Sequence, residues 1–313
     1  MKLGDAVAQY VAYKRCLGMR FTSEADRLQA FCRRAGEDAT VAGVSADQVA
    51  EFLAGKGPVT RTWFHKYSAL RGFYRFAISR GYAHALPLPR LLPRPPQPFL
   101  PYIFTREELR RLLDSVDFYQ QRKSPFQPHT FQALLLLLYG AGLRISEALS
   151  LRLQDVNLPI GLLTIRDTKF YKTRIVALGP QLQEVLVQYA RRREQEGHST
   201  DPESPFFVTC HGKPVARRVA ERAFACLRRH ARVCRTDGFQ QPRLHDLRHA
   251  FATHRVVAWY REGADVQAWL PKLATYLGHL DIGSTQRYLS MTPELLGEAS
   301  QRFARYAFAG GDS

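Results

Sequence analysis

Between residues 144 and 288, basic side chains and one tyrosine occur in a combination suited to phosphoryl transfer. Guanidinium groups can hold a phosphodiester and neutralise its charge, and imidazole or ammonium groups can move protons. A tyrosine hydroxyl can supply the nucleophile. We therefore single out two arginines, two histidines, a lysine and a tyrosine: Arg144, Lys169, His245, Arg248, His279 and Tyr288.

Arg144 lies in the segment Gly140-Ala-Gly-Leu-Arg-Ile-Ser-Glu147, which predicts the end of one helix and the start of the next. Glu147 follows Arg144 by three residues, so the two side chains share a helical face and the carboxylate can orient the guanidinium. Taken alone, such a pair is more often a surface ion pair.

The two histidines and the tyrosine lie in or directly beside predicted helices. His245 and Arg248 are spaced i, i+3, which places them on one face of a helix. Leu277-Gly-His279 predicts a helix that ends at its glycine, and Thr285-Gln-Arg-Tyr288 predicts that the tyrosine lies on the following helix. A lone tyrosine is by default a packed aromatic residue with a satisfied hydroxyl.

Other aromatic and histidine residues of this region are interpreted as packing residues. We assign no chemical role to His249 and His254. Trp259, Tyr260 and Trp269 are expected in the core rather than stacked on nucleic-acid bases.

The charge of the chain points to a polyanionic partner. The 313 residues include 45 Lys+Arg and 28 Asp+Glu, which leaves a net charge of +17. Residues 1–98 carry +8 and the remainder +9, so the excess is not confined to a basic tail.

Cysteine usage and hydropathy bear on the compartment. The five cysteines are odd in number and show no Cys-x-x-Cys spacing, which favours a reducing compartment and argues against a structural zinc site. The N-terminus lacks the features of a secretory signal, and the longest apolar run, residues 133–139, is too short to span a bilayer. We expect a cytoplasmic protein with no membrane partner.

The chain is long enough for two domains, and its clearest boundary is a proline cluster over residues 87–101. Before this linker, residues 1–86 show helical periodicity that predicts a bundle of four or five helices. Ser45 with Gln48 predicts a capping box. The last long helix, roughly residues 60–80, carries basic residues among aromatics: Arg61, Lys66, Arg71, Arg75 and Arg80.

Residues 102–313 form the second predicted domain. Thr105 is the expected N-cap of its first helix, and residues 130–139 predict a buried helix. Residues 161–178 have two β-prone arms around a polar turn, which predicts a hairpin. From Gln181 onward the pattern is helical, with a loop near residues 197–205 and a capped helix beginning at Thr292.

Taken in order, these motifs resemble those of the tyrosine recombinases, or phage integrase family. The family signatures read G-x-G-x-R-x-x-E, a hairpin lysine, H-x-L-R-H-x-x-A, L-G-H and a terminal tyrosine, and residues 103–290 match each in turn. The resemblance implies that Arg144 and Arg248 clamp the phosphate and that His245 and His279 handle protons or hydrogen-bond. It implies that Tyr288 is the nucleophile.

The hairpin lysine of the family matches Lys169, because it opens the turn, better than Lys172, although the two positions are close. This lysine would protonate the departing 5′ oxygen. The product would be a 3′-phosphotyrosine that keeps the energy of the phosphoester, so resealing would need no ATP, metal or other cofactor.

The resemblance also implies a fold and partners. The fold class is mainly α with a small β-hairpin or sheet: a helical core-binding domain plus a mixed α/β catalytic domain, forming a C-shaped clamp on DNA. The expected partner is double-stranded DNA. The protein would form a dimer on DNA and a tetrameric synapse with itself or with related recombinases, and its C-terminal tail would dock in cis or on a neighbouring protomer.

One departure from compact members of the family is the longer segment between His254 and Leu277, which suggests a mobile-element branch acting in integration, excision or transposition. Other interpretations stay open. One is a chromosome-dimer resolving recombinase, another is relaxation of DNA like that by a type IB topoisomerase, and a third is a catalytically silent DNA-binding protein.

Overall fold

The computed structural model describes residues 1–55, 57–96, 100–121, 126–166 and 173–278, together with Gly283, Gly297 and Ser300. The chain divides into two compact units, Met1–Pro98 and Phe99–Ser313. This division falls inside the proline-rich segment, whose described residues contain neither helix nor strand.

The first unit contains four helices within its described residues: α1 (Leu3–Cys16), α2 (Thr22–Ala35), α3 (Ala46–Leu53) and α4 (Arg61–Ser79). The predicted capping box at the start of α3 is confirmed, because Ser45 Oγ accepts from the Gln48 N–H and Gln48 Oε1 accepts from the Ser45 N–H. The predicted long helix corresponds to α4.

The core of this unit is aromatic and aliphatic. Side chains from all four helices are fully buried in it, and the largest of these on α2 and α4 are Leu28, Phe31, Leu70, Phe73 and Tyr74. On α4, Arg61, Arg71 and Arg75 are exposed, as is Arg80 directly after the helix, whereas Lys66 is part-buried and donates to the Phe52 carbonyl oxygen. This arrangement follows from the helical period, which separates the apolar stripe from the charged positions.

The second unit begins with helix α5 (Arg106–Asp114), a 3-10 helix at Val116–Gln121 and helix α6 (Pro128–Gly140). Thr105 caps α5 in a capping box with Glu108, as predicted. Helix α6 is the central element of the core, since Leu134, Leu137 and Leu138 are at most 1% exposed. A helix buried on most of its surface can be this rich in leucine.

The sheet follows the short helix α7 (Ile145–Leu149) and a 3-10 turn at Leu153–Asp155. Its strands are β1 (Val156–Asn157), β2 (Leu162–Ile165) and β3 (Arg174–Ala177), antiparallel and in that order. The predicted hairpin is thus confirmed as β2 and β3. The two-residue strand β1 was not predicted, because two residues show no periodicity.

Four helices complete the described part of the second unit: α8 (Pro180–Gln195), α9 (Arg217–His230), α10 (Asp246–Arg261) and α11 (Val266–Leu277). Helix α10 packs on α6 and α11 packs on α10. The predicted fold class, mainly α-helical with a small β-sheet, is confirmed. Within the described ranges, no helix combines the length and apolar character that crossing a bilayer requires.

The prediction for the aromatic residues of α10 and α11 is partly wrong. Trp259 and Tyr260 are partly buried and pack on the cluster around Phe251. Trp269, however, is 41% exposed, because it lies on the outer side of α11. There its ring packs against Trp259 with centroids 5.6 Å apart, and the Lys272 ammonium lies 4.0 Å from its centre.

Candidate active site

Arg144 stands at the junction of α6 and α7, where the chain makes a tight turn. Gly142 has a φ of +61°, and a Cβ there would lie 2.5 Å from the Phe251 ring, so a side chain is excluded on two grounds. This turn brings Arg144 to the N-cap position of α7. Gly142, two residues before Arg144, therefore determines where the arginine lies.

Glu147 orients Arg144, as the spacing predicts. Its carboxylate accepts from the Arg144 guanidinium at 2.6 Å and from the Arg144 backbone N–H at 2.9 Å. The guanidinium also donates to the Gly278 carbonyl oxygen at 2.9 Å. Arg144 keeps 32% of its side chain exposed, so it can still meet a ligand.

Arg248 lies on α10 and is 2% exposed. Its two terminal nitrogens donate to the carbonyl oxygens of Gly142, at 2.7 Å, and Leu277, at 2.6 Å. The carbonyls at a helix C-terminus carry partial negative charge, so the end of α11 is a favourable place for a guanidinium. Arg248 thus joins the Arg144 turn to the last turn of α11.

A third arginine, Arg174 on β3, belongs to the same cluster and was not predicted. It donates to both carboxylate oxygens of Glu147, at 2.8 and 3.1 Å, and to the Tyr276 carbonyl oxygen at 3.0 Å. Three guanidinium groups therefore surround one carboxylate, since Arg248 lies 4.0 Å from Glu147. The same groups contact the carbonyls of residues 276, 277 and 278.

Glu147 is 8% exposed, and its carboxylate is charged in this setting. Burial alone would raise its pKa, but the hydrogen bonds and charge of Arg174, together with the backbone N–H and charge of Arg144, lower the pKa to about 2. The carboxylate offsets the repulsion among the arginines and leaves an excess of positive charge for a ligand.

His245 immediately precedes α10 and lines a cleft of about 540 Å³ together with Arg144. Burial, and then the positive charges of Arg248, Arg243 and Arg144, lower the pKa of the His245 imidazole to about 4. The ring is therefore neutral at neutral pH and can accept a proton. Its neighbour His249 packs edge-on against it, with ring centroids 5.0 Å apart.

Two further arginines line this cleft, Arg217 at the start of α9 and Arg243 just before His245. Arg217 donates to Glu221 at 2.7 Å, and Arg243 donates to Asp246. No motif marked either residue among the many arginines of the chain. Only the tertiary structure places their positive charge beside Arg144.

Of the six residues proposed from sequence, the structure brings Arg144, His245 and Arg248 together. Lys169, its alternative Lys172, His279 and Tyr288 lie outside the described residues, as does the C-terminal segment from Thr292 except for Gly297 and Ser300. Helix α11 ends at Gly278, as predicted, in a left-handed conformation with a φ of +68°. His279 is the next residue after Gly278, whose carbonyl oxygen accepts a hydrogen bond from Arg144.

One histidine of α10 outside the cluster, His254, has a packing contact with α6. The Nδ1 atom of His254 lies 2.9 Å from the Tyr139 hydroxyl, in agreement with the packing role expected for it. Among the residues that the structure describes, no group of three or more His, Cys, Asp or Glu side chains could hold a metal ion.

The amino-acid sequence is similar to those of known integrases and recombinases. Residues 103–294 match the profile of the Phage integrase family. A protein of Sinorhizobium fredii (strain NBRC 101917 / NGR234) named integrase/recombinase y4rE is 33% identical over 307 residues, covering 96% of this chain and 95% of the relative. Tyrosine recombinase XerC of Oceanobacillus iheyensis is 33% identical over 250 residues, covering 76% and 73%.

Solved structures resemble the whole chain in fold. The Tn1549 transposon integrase in complex with a circular intermediate DNA has a TM-score of 0.68 at 16% identity, over 97% of this chain and 99% of that one. A lambda integrase dimer bound to a COC′ core site has a TM-score of 0.64 at 16% identity, over 90% and 96%. At these identities the likeness concerns the fold alone.

Proposed function

The chain belongs to the phage integrase family of tyrosine recombinases, enzymes that cut and rejoin DNA strands without a metal, and from this premise we propose that it is a site-specific recombinase of a mobile element. The observation that carries the proposal is the cluster in which Arg144 and Arg248 meet at Glu147 and at the end of α11, beside a neutral His245. Such a cluster can hold one phosphodiester and take up one proton.

Arg144 and Arg248 are the proposed phosphate clamp. Arg144 lines the cleft and can reach a phosphate there directly. Arg248 is buried, and we expect a bound phosphodiester to displace one of its two carbonyl contacts. Positive groups fixed in a partly dry site stabilise the charge of a phosphorane-like transition state more strongly than groups in water do.

Tyr288 is the proposed nucleophile. Its hydroxyl oxygen attacks the phosphorus, and its proton passes to the neutral imidazole of His245, or to His279. The bond from phosphorus to the 5′ oxygen breaks as Lys169, or Lys172, donates a proton to that oxygen. The products are a 3′-phosphotyrosine and a free 5′-hydroxyl, and the reverse reaction with a new 5′-hydroxyl reseals the strand without ATP.

Both units are proposed to bind the duplex. Residues 1–86 would form the core-binding domain, residues 87–101 the linker, and residues 102–313 the catalytic domain with a tail helix. Net positive charge in both halves and the exposed arginines of α4 support this assignment. One of the DNA-bound structures with the same fold is a dimer, which supports assembly of a dimer on DNA. A tetrameric synapse would form when two such dimers meet.

The proposed place of action is the cytoplasm. The five cysteines lie within described residues and are free thiols, which supports a reducing compartment. The mobile-element role is supported by the likeness to y4rE over nearly the whole chain and by the longer segment between His254 and Leu277. The likeness to XerC favours chromosome-dimer resolution as the second candidate.

A recombination assay tests the proposal. The binding site is first located by footprinting the protein on the DNA on either side of its gene, and the repeated sequences that it protects are called the flanking repeats. Purified protein is then mixed with a supercoiled plasmid that carries two copies of a flanking repeat, and deletion of the intervening DNA is scored. We expect deletion by the wild type and none by Tyr288→Phe. Deletion only between chromosome-dimer sites would favour the second candidate. Relaxation of a plasmid without any site would favour a topoisomerase, and tight binding without cleavage a silent DNA-binding protein.

A further inference from the structure

Arg174 occupies an unusual position for an arginine. It is the first residue of β3, where it pairs with the buried Ile165 of β2. Cross-strand partners share a face of a sheet, so Arg174 points to the same side as Ile165 and, two residues along its own strand, Val176. Both of these residues are at most 1% exposed, and the Arg174 side chain is 11% exposed.

The contacts of Arg174 join three separate segments of the second unit. Through Glu147 it reaches the start of α7, and through the Tyr276 carbonyl it reaches the last turn of α11. Its guanidinium also fills the space beside Gly278, where an added Cβ would lie 2.9 Å from Nη1. A side chain at position 278 would thus displace Arg174 as well as strain the backbone.

These contacts determine where Arg144 points. Glu147 has two oxygens, and each accepts from both arginines: Oε1 from the guanidinium groups of Arg144 and Arg174, Oε2 from Arg174 and the Arg144 N–H. Two bonds from one planar guanidinium fix the carboxylate in orientation as well as in position. Without them the carboxylate could rotate, and the Arg144 guanidinium would rotate with it.

We infer that Arg174 is a positioning residue for DNA cleavage: it holds Glu147, and through it Arg144, against the C-terminal end of α11, which precedes His279. This inference rests on the proposed function, in which Arg144 binds the scissile phosphate. Arg174 acts on the rate of the chemical step and not on the affinity for DNA, because its hydrogen bonds are made to protein groups inside the unit.

Single-turnover cleavage tests the inference on a nicked duplex that carries the flanking repeats, with the covalent protein-DNA adduct as the signal. A guanidinium misplaced by an ångström can cost about 100-fold in rate, and we expect a loss of this order for Arg174→Gln with the Kd for DNA within about twofold. The matched control is Arg192→Gln, an exposed arginine of α8 paired with Glu196, which should cleave at the wild-type rate.

A double-variant cycle separates positioning from a general structural effect. If Arg174 acts through Arg144, then the variant with both Arg144→Gln and Arg174→Gln cleaves as slowly as Arg144→Gln alone. Multiplicative losses would overturn the inference, as would a wild-type rate for Arg174→Gln.

Two further measurements keep these outcomes distinct. Thermal unfolding of each variant reports whether it folds, and if Arg174→Gln does not, Arg174→Lys replaces it in the same cycle, since an ammonium cannot hold both Glu147 oxygens and Tyr276 in the same fork. If the wild type forms an adduct and Arg174→Lys cleaves at the same rate, the inference about Arg174 is refuted while the proposed function stands. No adduct with the wild type would refute the proposed function itself.

Discussion

The two units of this protein place their charges differently. In the first unit, every buried side chain among the described residues is apolar or aromatic, and the arginines of α4 are exposed. In the second unit, charged residues enter the interior: Glu147, Asp155, Arg193, Arg228, Asp246 and Arg248 are all less than 9% exposed. Both units nevertheless have an extensive apolar core.

Burying a charge is costly, and a buried ion pair often stabilises a fold no more than apolar residues of the same size would. The first unit shows that this chain can build an apolar helical core without a buried charged side chain among its described residues. We therefore infer that the arginines around Glu147 are retained for the chemistry of the site, while the exposed arginines of the first unit serve attraction to the phosphate backbone.

The largest expected effect comes from Arg248→Met. Removing the buried guanidinium leaves two carbonyl oxygens without this hydrogen-bond donor. It also takes away one of the positive charges that offset the buried negative charge of Glu147. Together these losses should lower the free energy of unfolding by about 3 kcal/mol. Cleavage should fall by at least about 1000-fold, because one of the two proposed phosphate-clamping groups is lost. Urea unfolding and single-turnover cleavage measure the two effects.

Arg71→Met, an exposed arginine of α4, is the matched change in the first unit. It should alter the free energy of unfolding by less than about 0.5 kcal/mol and leave cleavage intact at saturating protein. Equal destabilisation by the two substitutions would remove the contrast between the units.

The next effect concerns pH and His245. The folded pKa is about 4, while a histidine in an unfolded chain titrates near 6.5. Between these values the unfolded chain binds a proton that the folded protein does not, so stability falls as the pH is lowered from 7 toward 4. The loss from this one group is at most about 3 kcal/mol, since each pKa unit corresponds to about 1.4 kcal/mol.

The substitution His245→Asn should remove that contribution. Hydrogen exchange of the intact protein is measured from pH 7 to pH 4.5. As the pH falls, backbone amides of the second unit should lose less protection in the variant than in the wild type. Protection in the first unit should be the same for both proteins. A second unit with an identical pH dependence in the variant would show that His245 is not held neutral by its surroundings.

A smaller effect is expected for the exposed charges of the first unit. The double variant with Arg71→Gln and Arg75→Gln should bind DNA more weakly and reduce the slope of log K against log salt by about 2, one for each lost phosphate contact. Arg34→Gln, whose guanidinium pairs with Glu51, is the control for loss of positive charge elsewhere in the unit. An unchanged slope for the double variant would exclude α4 from the interface.

The smallest effect should be the same in both units. Ser45→Ala and Thr105→Ala each remove the side chain of a capping box, and each should cost about 1 kcal/mol of stability. Neither should change the rate of cleavage. A much greater cost for Thr105→Ala would mean that the units differ in the stability of their helices and not only in the placement of charge.

Local chemistry made much of this fold predictable from the sequence. The caps at Ser45 and Thr105, the end of α11 at Gly278 and the pairing of Glu147 with Arg144 each depend on residues within a few positions of one another. The apolar arms of the hairpin were also visible, because β-prone residues flank a polar turn. These features need no knowledge of the tertiary structure.

The contacts that assemble the site depend on residues far apart in the chain. Arg144 and Gly278 are 134 positions apart, and no local pattern connects them. Arg174 was missed because the run Arg174-Ile-Val-Ala-Leu178 has no polar alternation to show which residues face inward, and only the register with β2 settles it. Trp269 was assigned to the core because apolar character alone does not reveal an exposed helix face.

Identification of the protein atom that is joined to DNA tests the proposed mechanism. The protein is incubated with a nicked duplex of the flanking repeats, the complex is denatured and digested with trypsin and nuclease, and the peptide that retains a nucleotide is sequenced by mass spectrometry. We expect a 3′-phosphodeoxynucleotide on Tyr288 in the wild type and no adduct in Tyr288→Phe. An adduct on any other residue, or one that persists in Tyr288→Phe, would contradict the proposed mechanism.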